Sequence, residues 1–320
     1  MVNGTYPLHV LSESTRLDAA VKGRIAKITD KVREVQTVKL VALQDFVLLG
    51  TPPALLIDKV LPEKSLMILV GEPYVGKSLI ALELAVSVAL GAQALGKFQA
   101  QQRNVVYVAA DAPTWYGAWQ ASSLLRGHGY DENLPGGRMW FAPPGQGLRV
   151  LESDEACKQF IERVDELEVQ LVVLDTLRKM HTHNENDSGF MTQVVDRCRM
   201  MNEAGMAVIL VHHASKGTGD GEQSAAYRGR GSSVVPGEVD INWLVEKRPQ
   251  ASRVQVAKGR GASLEGPFDV RLQSTGPPDR PALTVQWAIP EPDLPQVKPE
   301  KPARQRRKAA PAEPQWIDPE

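Results

Sequence analysis

The stretch GEPYVGKS occupies residues 71–78 and matches the pattern G-x-x-x-x-G-K-[ST]. The apolar run LMILV (66–70) precedes it, and the helix-like segment LIALELAVSVALG (79–91) follows it. In this context of strand, loop and helix, the glycines allow backbone N–H groups and the positive end of the helix to face an anion. The stretch therefore predicts a loop that binds nucleotide phosphates within an α/β fold.

Two side chains of this loop are predicted to act on the bound nucleotide. Lys77 reaches the β- and γ-phosphates, and the hydroxyl of Ser78 is a ligand for Mg²⁺. The chemistry of the loop therefore predicts ATP and Mg²⁺ as cofactors. The predicted nucleotide-binding residues are Gly71, Glu72, Pro73, Tyr74, Val75, Gly76, Lys77, Ser78 and Leu79.

Further apolar runs indicate how a sheet continues away from the loop. VVYVAA (105–110), LVVLD (171–175) and AVILVHH (207–213) lack polar alternation and are separated by helix-like segments. Such runs are typical of parallel strands that are buried on both faces. After Asp240, the segments INWLVEK, RVQVAKGR, FDVRLQ and LTVQWA predict antiparallel or edge strands. The predicted fold class is α/β, with a mainly parallel central sheet flanked by helices and with antiparallel edge strands.

One aspartate at a predicted strand end completes the metal site. Asp175 is the last residue of LVVLD. The carboxyl ends of parallel strands line the ligand crevice in sheets of this kind. The sequence therefore predicts that Asp175 and Ser78 together hold Mg²⁺.

Composition bounds the class of protein and its compartment. The chain has 320 residues, of which 42% are hydrophobic and 23% charged. This composition is that of an ordinary globular protein and excludes collagen-like and wholly disordered chains. Cys157 and Cys198 are too few for a disulfide framework, which indicates a reducing compartment. We find no signal-peptide pattern at Met1 and no apolar run of the roughly 20 residues that a bilayer requires. These features predict a cytoplasmic protein without membrane contacts.

Three regions are predicted along the chain. Residues 1–50 form an extension in which apolar side chains recur at helical spacing, so an amphipathic helix packs either on its own domain or on a neighbouring subunit. Residues 51–289 form the core. Residues 290–320 are rich in proline and contain the basic cluster RQRRK, which predicts a disordered tail. We expect the basic cluster to add nonspecific DNA affinity, and Trp316 with Ile317 to dock a partner such as a primase or initiator.

Five segments carry a family resemblance. They are GEPYVGKS (71–78), VVYVAADAP (105–113), LVVLDTLRKMHTHNENDSGFMTQVV (171–195), VILVHHASKGTGDGEQSAAYRGRGSSV (208–234) and VQVAKGRGASLEGPF (254–268). The chain resembles the RecA-like hexameric replicative helicases of the plasmid RepA type, which are close to the DnaB- and KaiC-like ATPases. The resemblance covers about residues 55–270 and implies a RecA-like P-loop core. The two terminal extensions lie outside it.

The resemblance implies catalytic roles for two further residues. Asp111 stands where these ATPases usually have a glutamate that polarises the attacking water, and its alternative role is to cap the following helix. His213 is implied to contact the γ-phosphate and to sense hydrolysis. The adjacent His212 and His213 leave metal binding as an alternative, although neighbouring strand residues point to opposite faces.

The resemblance also implies two loops that line a central channel, at residues 178–189 and 215–230. Arg178, Lys179 and Lys216 in these loops are candidates for contacts with the phosphates of single-stranded DNA. The alternative for each residue is a solvated surface charge.

Three further cations match the positions of the family's basic fingers. Arg230 lies in GRGSS, and Lys258 and Arg260 lie in VAKGRG. The resemblance implies that these groups enter the nucleotide site of a neighbouring subunit and stabilise charge on the γ-phosphate. Surface charge is again the alternative. If the fingers act in this way, a homo-oligomer is part of the mechanism.

The sequence and the resemblance together predict an ATP-hydrolysing, ring-forming DNA helicase of plasmid or phage replication. The ring is expected to be hexameric and to translocate on single-stranded DNA by hydrolysis at subunit interfaces. A RecA-like recombination or repair ATPase that forms filaments is one alternative. A weakly hydrolysing ATP-dependent switch or adaptor is another, which the short side chain of Asp111 favours. The net charge of -1 means that any DNA contact depends on local basic segments.

Overall fold

A computed structural model of the chain describes residues 42–43, 53–130, 138–144, 149–213, 234–264 and 266–291. The chain divides into two units, Met1–Pro52 and Pro53–Glu320, and all of the strands and helices given below belong to the second. Across the described ranges, no helix combines the length and the apolar character needed to cross a membrane.

A sheet of nine strands forms the centre of the described chain. The strands are β1 (Leu55–Ile57), β2 (Leu61–Pro62), β3 (Leu66–Gly71), β4 (Gln93–Ala94), β5 (Phe98–Gln99), β6 (Asn104–Ala109), β7 (Met139–Ala142), β8 (Val169–Asp175), β9 (Ala207–His213), β10 (Ile241–Lys247), β11 (Ser252–Gly259), β12 (Phe268–Thr275) and β13 (Ala282–Ala288). The order across the large sheet is β13-β12-β11-β10-β3-β9-β8-β6-β7, while β1 pairs with β2 and β4 with β5.

The large sheet is parallel from β10 to β7 and antiparallel from β10 to β13. Strand β3 lies between β10 and β9, so the loop that follows Gly71 leaves from the middle of the sheet. Strand β8 lies next to β9, on the side away from β3. The three strands are parallel, so the carboxyl end of β8 is at the same end of the sheet as that of β3. This order brings the ends of β3, β6, β8 and β9 to one crevice.

Helices cover both faces of the sheet. They are α1 (Lys77–Leu90), α2 (Thr114–Gly127), α3 (Asp154–Asp165), α4 (Ser188–Glu203) and α5 (Val234–Glu238). One buried cluster joins α1 to the sheet through residues such as Leu69 and Leu84, and a second joins α3 and α4 to the opposite face through residues such as Leu174 and Val194. Burial on both faces explains why the parallel strands lack polar alternation.

The predicted fold class is confirmed: the core is α/β, with a mainly parallel sheet flanked by helices and with antiparallel strands at one edge. INWLVEK was predicted to be an antiparallel or edge strand. Strand β10 does pair antiparallel with β11, but it also pairs in parallel with β3, so it lies inside the sheet and is not an edge strand. Its first five residues are buried without alternation, which is the pattern of a parallel interior strand.

Several predicted features lie outside the described residues. They are the amphipathic helix at residues 14–35, the whole loop 215–230 with Lys216 and Arg230, and the tail after Glu291.

Candidate nucleotide-binding site

The loop of residues 71–76 joins the end of β3 to the start of α1 with two glycines that no other residue replaces easily. A Cβ atom at Gly71 would lie 2.3 Å from the carbonyl oxygen of Val245 on the neighbouring strand. Gly76 has φ of 91°, in the left-handed region, and is the N-cap of α1. Tyr74 is 97% exposed at the tip of the loop. The backbone therefore wraps tightly and presents the first N–H groups of α1 to the crevice.

Lys77 is buried at the start of α1 and points back under the loop. Its Nζ donates a hydrogen bond to the carbonyl oxygen of Glu72 at 2.7 Å. Burial lowers the pKa of Lys77 to about 8, and the negative charges of Asp175 and Glu72 partly oppose this. The ammonium group therefore lies inside the loop, where phosphate oxygens would add compensating charge.

Ser78 and Asp175 lie together, as the sequence predicts for a metal site. The Oγ of Ser78 donates to Oδ1 of Asp175 at 3.2 Å. One hydroxyl and one carboxylate are hard oxygen donors of the kind that Mg²⁺ takes beside phosphates and water. These two residues therefore fit the metal that the loop implies.

The carboxyl group of Asp175 is buried at the end of β8. Burial raises its pKa above the ordinary value, hydrogen bonds from Tyr107 and Ser78 lower it, and the charge of Asp111 raises it. A buried carboxylate in this position is stabilised by any cation that enters the site.

Tyr107 is a site residue that the sequence reasoning missed. It lies in the middle of β6, and its hydroxyl donates to Oδ2 of Asp175 at 2.7 Å. The hydroxyl is also 3.3 Å from the carbonyl oxygen of Ser78. The available signal was a tyrosine within the apolar run VVYVAA, because a buried phenol hydroxyl usually finds a polar partner.

Ser252 is a second residue that the sequence reasoning missed. It begins β11, and its Oγ donates to the carbonyl oxygen of Val75 at 2.7 Å. A Cβ atom at Gly76 would lie 3.0 Å from the same Oγ. Strand β11 thus supports the phosphate loop from the side, and no local pattern around Ser252 indicates this contact.

Asp111 lies two residues beyond the end of β6, near the crevice. Its side chain is half-exposed, and its Oδ1 is 3.9 Å from Nζ of Lys179. Its charge acts on the buried carboxylate of Asp175. The alternative role as a helix cap is wrong, because the N-cap of α2 is Pro113.

His213 ends β9 directly beside the phosphate loop, since its register partner on β3 is Gly71. The preceding His212 is buried, with Nδ1 at 4.0 Å from Oε1 of Glu185. The two histidines therefore have different surroundings. His213 is at the position from which a side chain reaches the crevice, and His212 contacts the segment 178–189.

The predicted DNA-binding residues of the segment 178–189 are exposed. A 3-10 helix spans Leu177–Lys179 and begins two residues after Asp175. The guanidinium of Arg178 donates to the carbonyl oxygen of His183 at 3.5 Å, and Lys179 pairs with Asp111 as described above. Lys179 therefore connects this segment to the candidate for water activation.

The predicted fingers Lys258 and Arg260 lie far from the phosphate loop of their own chain. Strand β11 begins at Ser252 beside Val75 and runs antiparallel to β10. Lys258 therefore pairs with Asn242 at the amino end of β10, whereas the phosphate loop lies at the carboxyl ends of the parallel strands. At roughly 3.3 Å per residue, the strand from Ser252 to Lys258 spans about 20 Å.

Both finger side chains contact the segment before β10. The Nζ of Lys258 donates to the carbonyl oxygen of Gly237 at 2.7 Å, and the guanidinium of Arg260 lies 3.4 Å from Oδ1 of Asp240. Arg260 remains 69% exposed. The two cations thus lie on one surface, away from Lys77.

Comparison with known proteins identifies the family. A sequence profile of the AAA domain family matches residues 32–219, which is more than half of the chain. Among solved structures, the chain is similar to the KaiC-like protein PH0186 from the hyperthermophilic archaeon Pyrococcus horikoshii OT3, with 14% identity and a TM-score of 0.49 over 71% of this chain and 93% of that one. The predicted membership of the P-loop ATPase superfamily is confirmed. The chain belongs to the AAA domain family.

Proposed function

We propose that this protein is an ATP-dependent, ring-forming DNA helicase that translocates on single-stranded DNA. One observation carries the proposal: Lys258 lies about 20 Å along β11 from Ser252, which contacts the phosphate loop of the same chain, and Arg260 follows just beyond the end of that strand. Cations at that distance do not serve the nucleotide of their own subunit. In a closed ring, the same surface faces the nucleotide site of the next subunit.

Each residue of the crevice has a separate role in the proposed hydrolysis of ATP. Backbone N–H groups of the phosphate loop and the ammonium of Lys77 bind the phosphates. Ser78 and Asp175 hold Mg²⁺, which when bound neutralises phosphate charge. Asp111 orients the attacking water and accepts its proton. Lys258 and Arg260 of the neighbouring subunit stabilise charge on the γ-phosphate.

The ion pair between Lys179 and Asp111 supports a link to DNA. Both side chains are about half-exposed, so the pair is weak and open to competition. A DNA phosphate that binds the ammonium group of Lys179 breaks its ion pair with Asp111. The carboxylate of Asp111 can then contact the attacking water. Hydrolysis should therefore be faster when single-stranded DNA is bound.

The full-length protein tests this proposal in three assays. We expect native mass measurement to give a hexamer with ATP, ATPase assays to give several-fold stimulation by single-stranded DNA, and a forked duplex to be unwound. Lys77→Ala is the inactive control for the last two assays. A monomer in the presence of ATP, without stimulation by DNA, would contradict the proposal, and negative-stain images of filaments would favour the recombination ATPase.

A weakly hydrolysing ATP-dependent switch is a second candidate. The pairing of Asp111 with Lys179 at 3.9 Å favours it where no DNA phosphate binds Lys179, because a carboxylate paired with a lysine accepts a proton from water less readily. Asp111→Glu separates the candidates. A rise in turnover supports an attenuated motor, whereas an unchanged low turnover supports the switch.

A further inference from the structure

The two oxygens of the Asp175 carboxylate have different partners. Oδ1 accepts a hydrogen bond from Ser78 Oγ at 3.2 Å, and Oδ2 accepts one from the hydroxyl of Tyr107 at 2.7 Å. A hydroxyl donor to a carboxylate at this short distance makes a charge-assisted hydrogen bond, which is stronger than a bond between neutral groups. The carboxylate is therefore held at Oδ2, and its other oxygen faces Ser78.

The position of the Tyr107 hydroxyl is fixed by the sheet. Tyr107 pairs with Phe141 on β7 and with Val173 on β8, so strands flank it on both sides. Its side chain is buried, and its ring contacts that of Phe141 with centroids 5.6 Å apart. The phenol group therefore has little freedom to turn away from Asp175.

The hydroxyl also connects the two halves of the metal site. It lies 3.3 Å from the carbonyl oxygen of Ser78, on the first turn of α1. A hydroxyl has one proton, so it donates to one acceptor at a time, and the shorter bond to the charged oxygen of Asp175 is preferred. The same group is thus in contact with the residue that follows Lys77 and with the carboxylate at the end of β8.

We propose that Tyr107 is a positioning residue that holds the Asp175 carboxylate, so that Oδ1 and Ser78 Oγ together receive the divalent cation. This inference rests on the proposed ATPase function. Partners of ligand carboxylates orient the ligand, and their loss typically reduces metal affinity by about 10- to 100-fold. Without the hydroxyl, Asp175 would be free to turn within its pocket, and the site would no longer be organised before the cation binds.

Tyr107→Phe in the full-length protein tests the proposal, since it removes one oxygen and keeps the ring that contacts Phe141. We would titrate MgCl2 against the protein and a fluorescent ATP derivative, and measure the Mg²⁺ concentration at half-saturation. We expect this concentration to rise at least tenfold, while the affinity for the ATP derivative in EDTA stays within about twofold of the wild type. Tyr130→Phe, which removes a hydroxyl from a partly exposed tyrosine after α2, should change neither value.

The outcomes separate the proposal from its premise. A half-saturating Mg²⁺ concentration within twofold of the wild type in Tyr107→Phe would overturn the role of Tyr107 and leave the ATPase function standing. Equal weakening with Mg²⁺ and in EDTA would also overturn it, because that result indicates general damage to the site. A wild-type protein that shows no effect of Mg²⁺ on binding would overturn both the role and the proposed function.

Discussion

The charge of the Lys77 ammonium group depends on folding, because the folded chain buries it. It is buried and donates to the carbonyl oxygen of Glu72. An ordinary lysine has a pKa of 10.5, whereas burial lowers that of Lys77 to about 8. A fraction of the protein without nucleotide therefore holds a neutral Lys77 at mildly alkaline pH.

This shift predicts that the affinity for ATP falls as the pH rises through about 8. The phosphates bind the charged ammonium, and the charged fraction in the free protein falls about tenfold between pH 7 and pH 9 for a pKa near 8. Fluorescence titration with an ATP derivative should show about a tenfold loss of affinity over this range. Lys77→Arg keeps its charge to far higher pH and should bind more weakly but without this slope. A flat profile for the wild type would contradict the prediction.

At the scale of elements, the helix after the phosphate loop is tied to α2 by a buried ion pair. Glu83 of α1 is almost fully buried, and both of its oxygens lie 3.1 Å from Nε2 of His128, the C-cap residue of α2. Glu83 also accepts hydrogen bonds from Ser87 Oγ and from the backbone N–H of Leu95. Since α2 begins just after Asp111, the pair fixes the helix that follows the candidate for water activation.

This pair predicts a pH-dependent stability. Burial lowers the pKa of His128, but the hydrogen bond and charge of Glu83 outweigh it, and the net pKa is raised above 6.5. The pair therefore stabilises most below pH 6.5, and its contribution is lost as the pH rises through the raised pKa. Glu83→Gln should lower the free energy of unfolding by about 3 kcal/mol below pH 6.5 and flatten its pH dependence.

Denaturant titration between pH 5.5 and pH 8.5 measures this effect. Glu166→Gln is the matched control, because it removes the partner of Arg163 from an exposed pair on the protein surface. We expect less than about 1 kcal/mol for the control. Equal losses in the two variants would argue against a special role for the buried pair.

At the scale of the whole molecule, β11 connects the two predicted halves of a shared active site. Its first residue, Ser252, contacts the phosphate loop of its own chain through Val75. Near its other end, Lys258 lies beside the amino end of β10, at the end of the strands away from the phosphate loop. In the proposed ring, one strand therefore contacts the phosphate loop of its own subunit at one end and carries Lys258 toward the nucleotide site of the next subunit at the other.

This arrangement predicts rescue between two inactive variants. Lys77→Ala removes the phosphate-binding lysine, and the double variant Lys258→Ala with Arg260→Ala removes the fingers. Each alone should lose most DNA-stimulated ATPase activity. Mixed rings should regain a clear fraction of it, because a subunit with an intact loop then meets a neighbour with intact fingers. Absence of rescue after confirmed subunit exchange would show that the fingers act within their own chain or not at all.

The amount that the sequence predicts differs from residue to residue. The phosphate loop, the helix after it and Asp175 were predicted from contiguous patterns, since spacing within a loop and an apolar run before a carboxylate are local features. The helix begins at Lys77, two residues before its predicted apolar segment. The parallel position of INWLVEK was missed, because its pairing with β3 joins segments about 170 positions apart and no local pattern records it.

By itself, the sequence determined that this protein has a phosphate loop within a mainly parallel α/β core, because those features are encoded in short stretches of residues. Only the tertiary structure decided that the hydroxyl of Tyr107 donates to Asp175, 68 positions away, and that Ser252 donates to the carbonyl oxygen of Val75, 177 positions away. It also decided that Lys258 lies at the end of the strands opposite the phosphate loop of its own chain. The physical reason is that a hydrogen bond between distant segments exists only after strand order and register bring its two partners together.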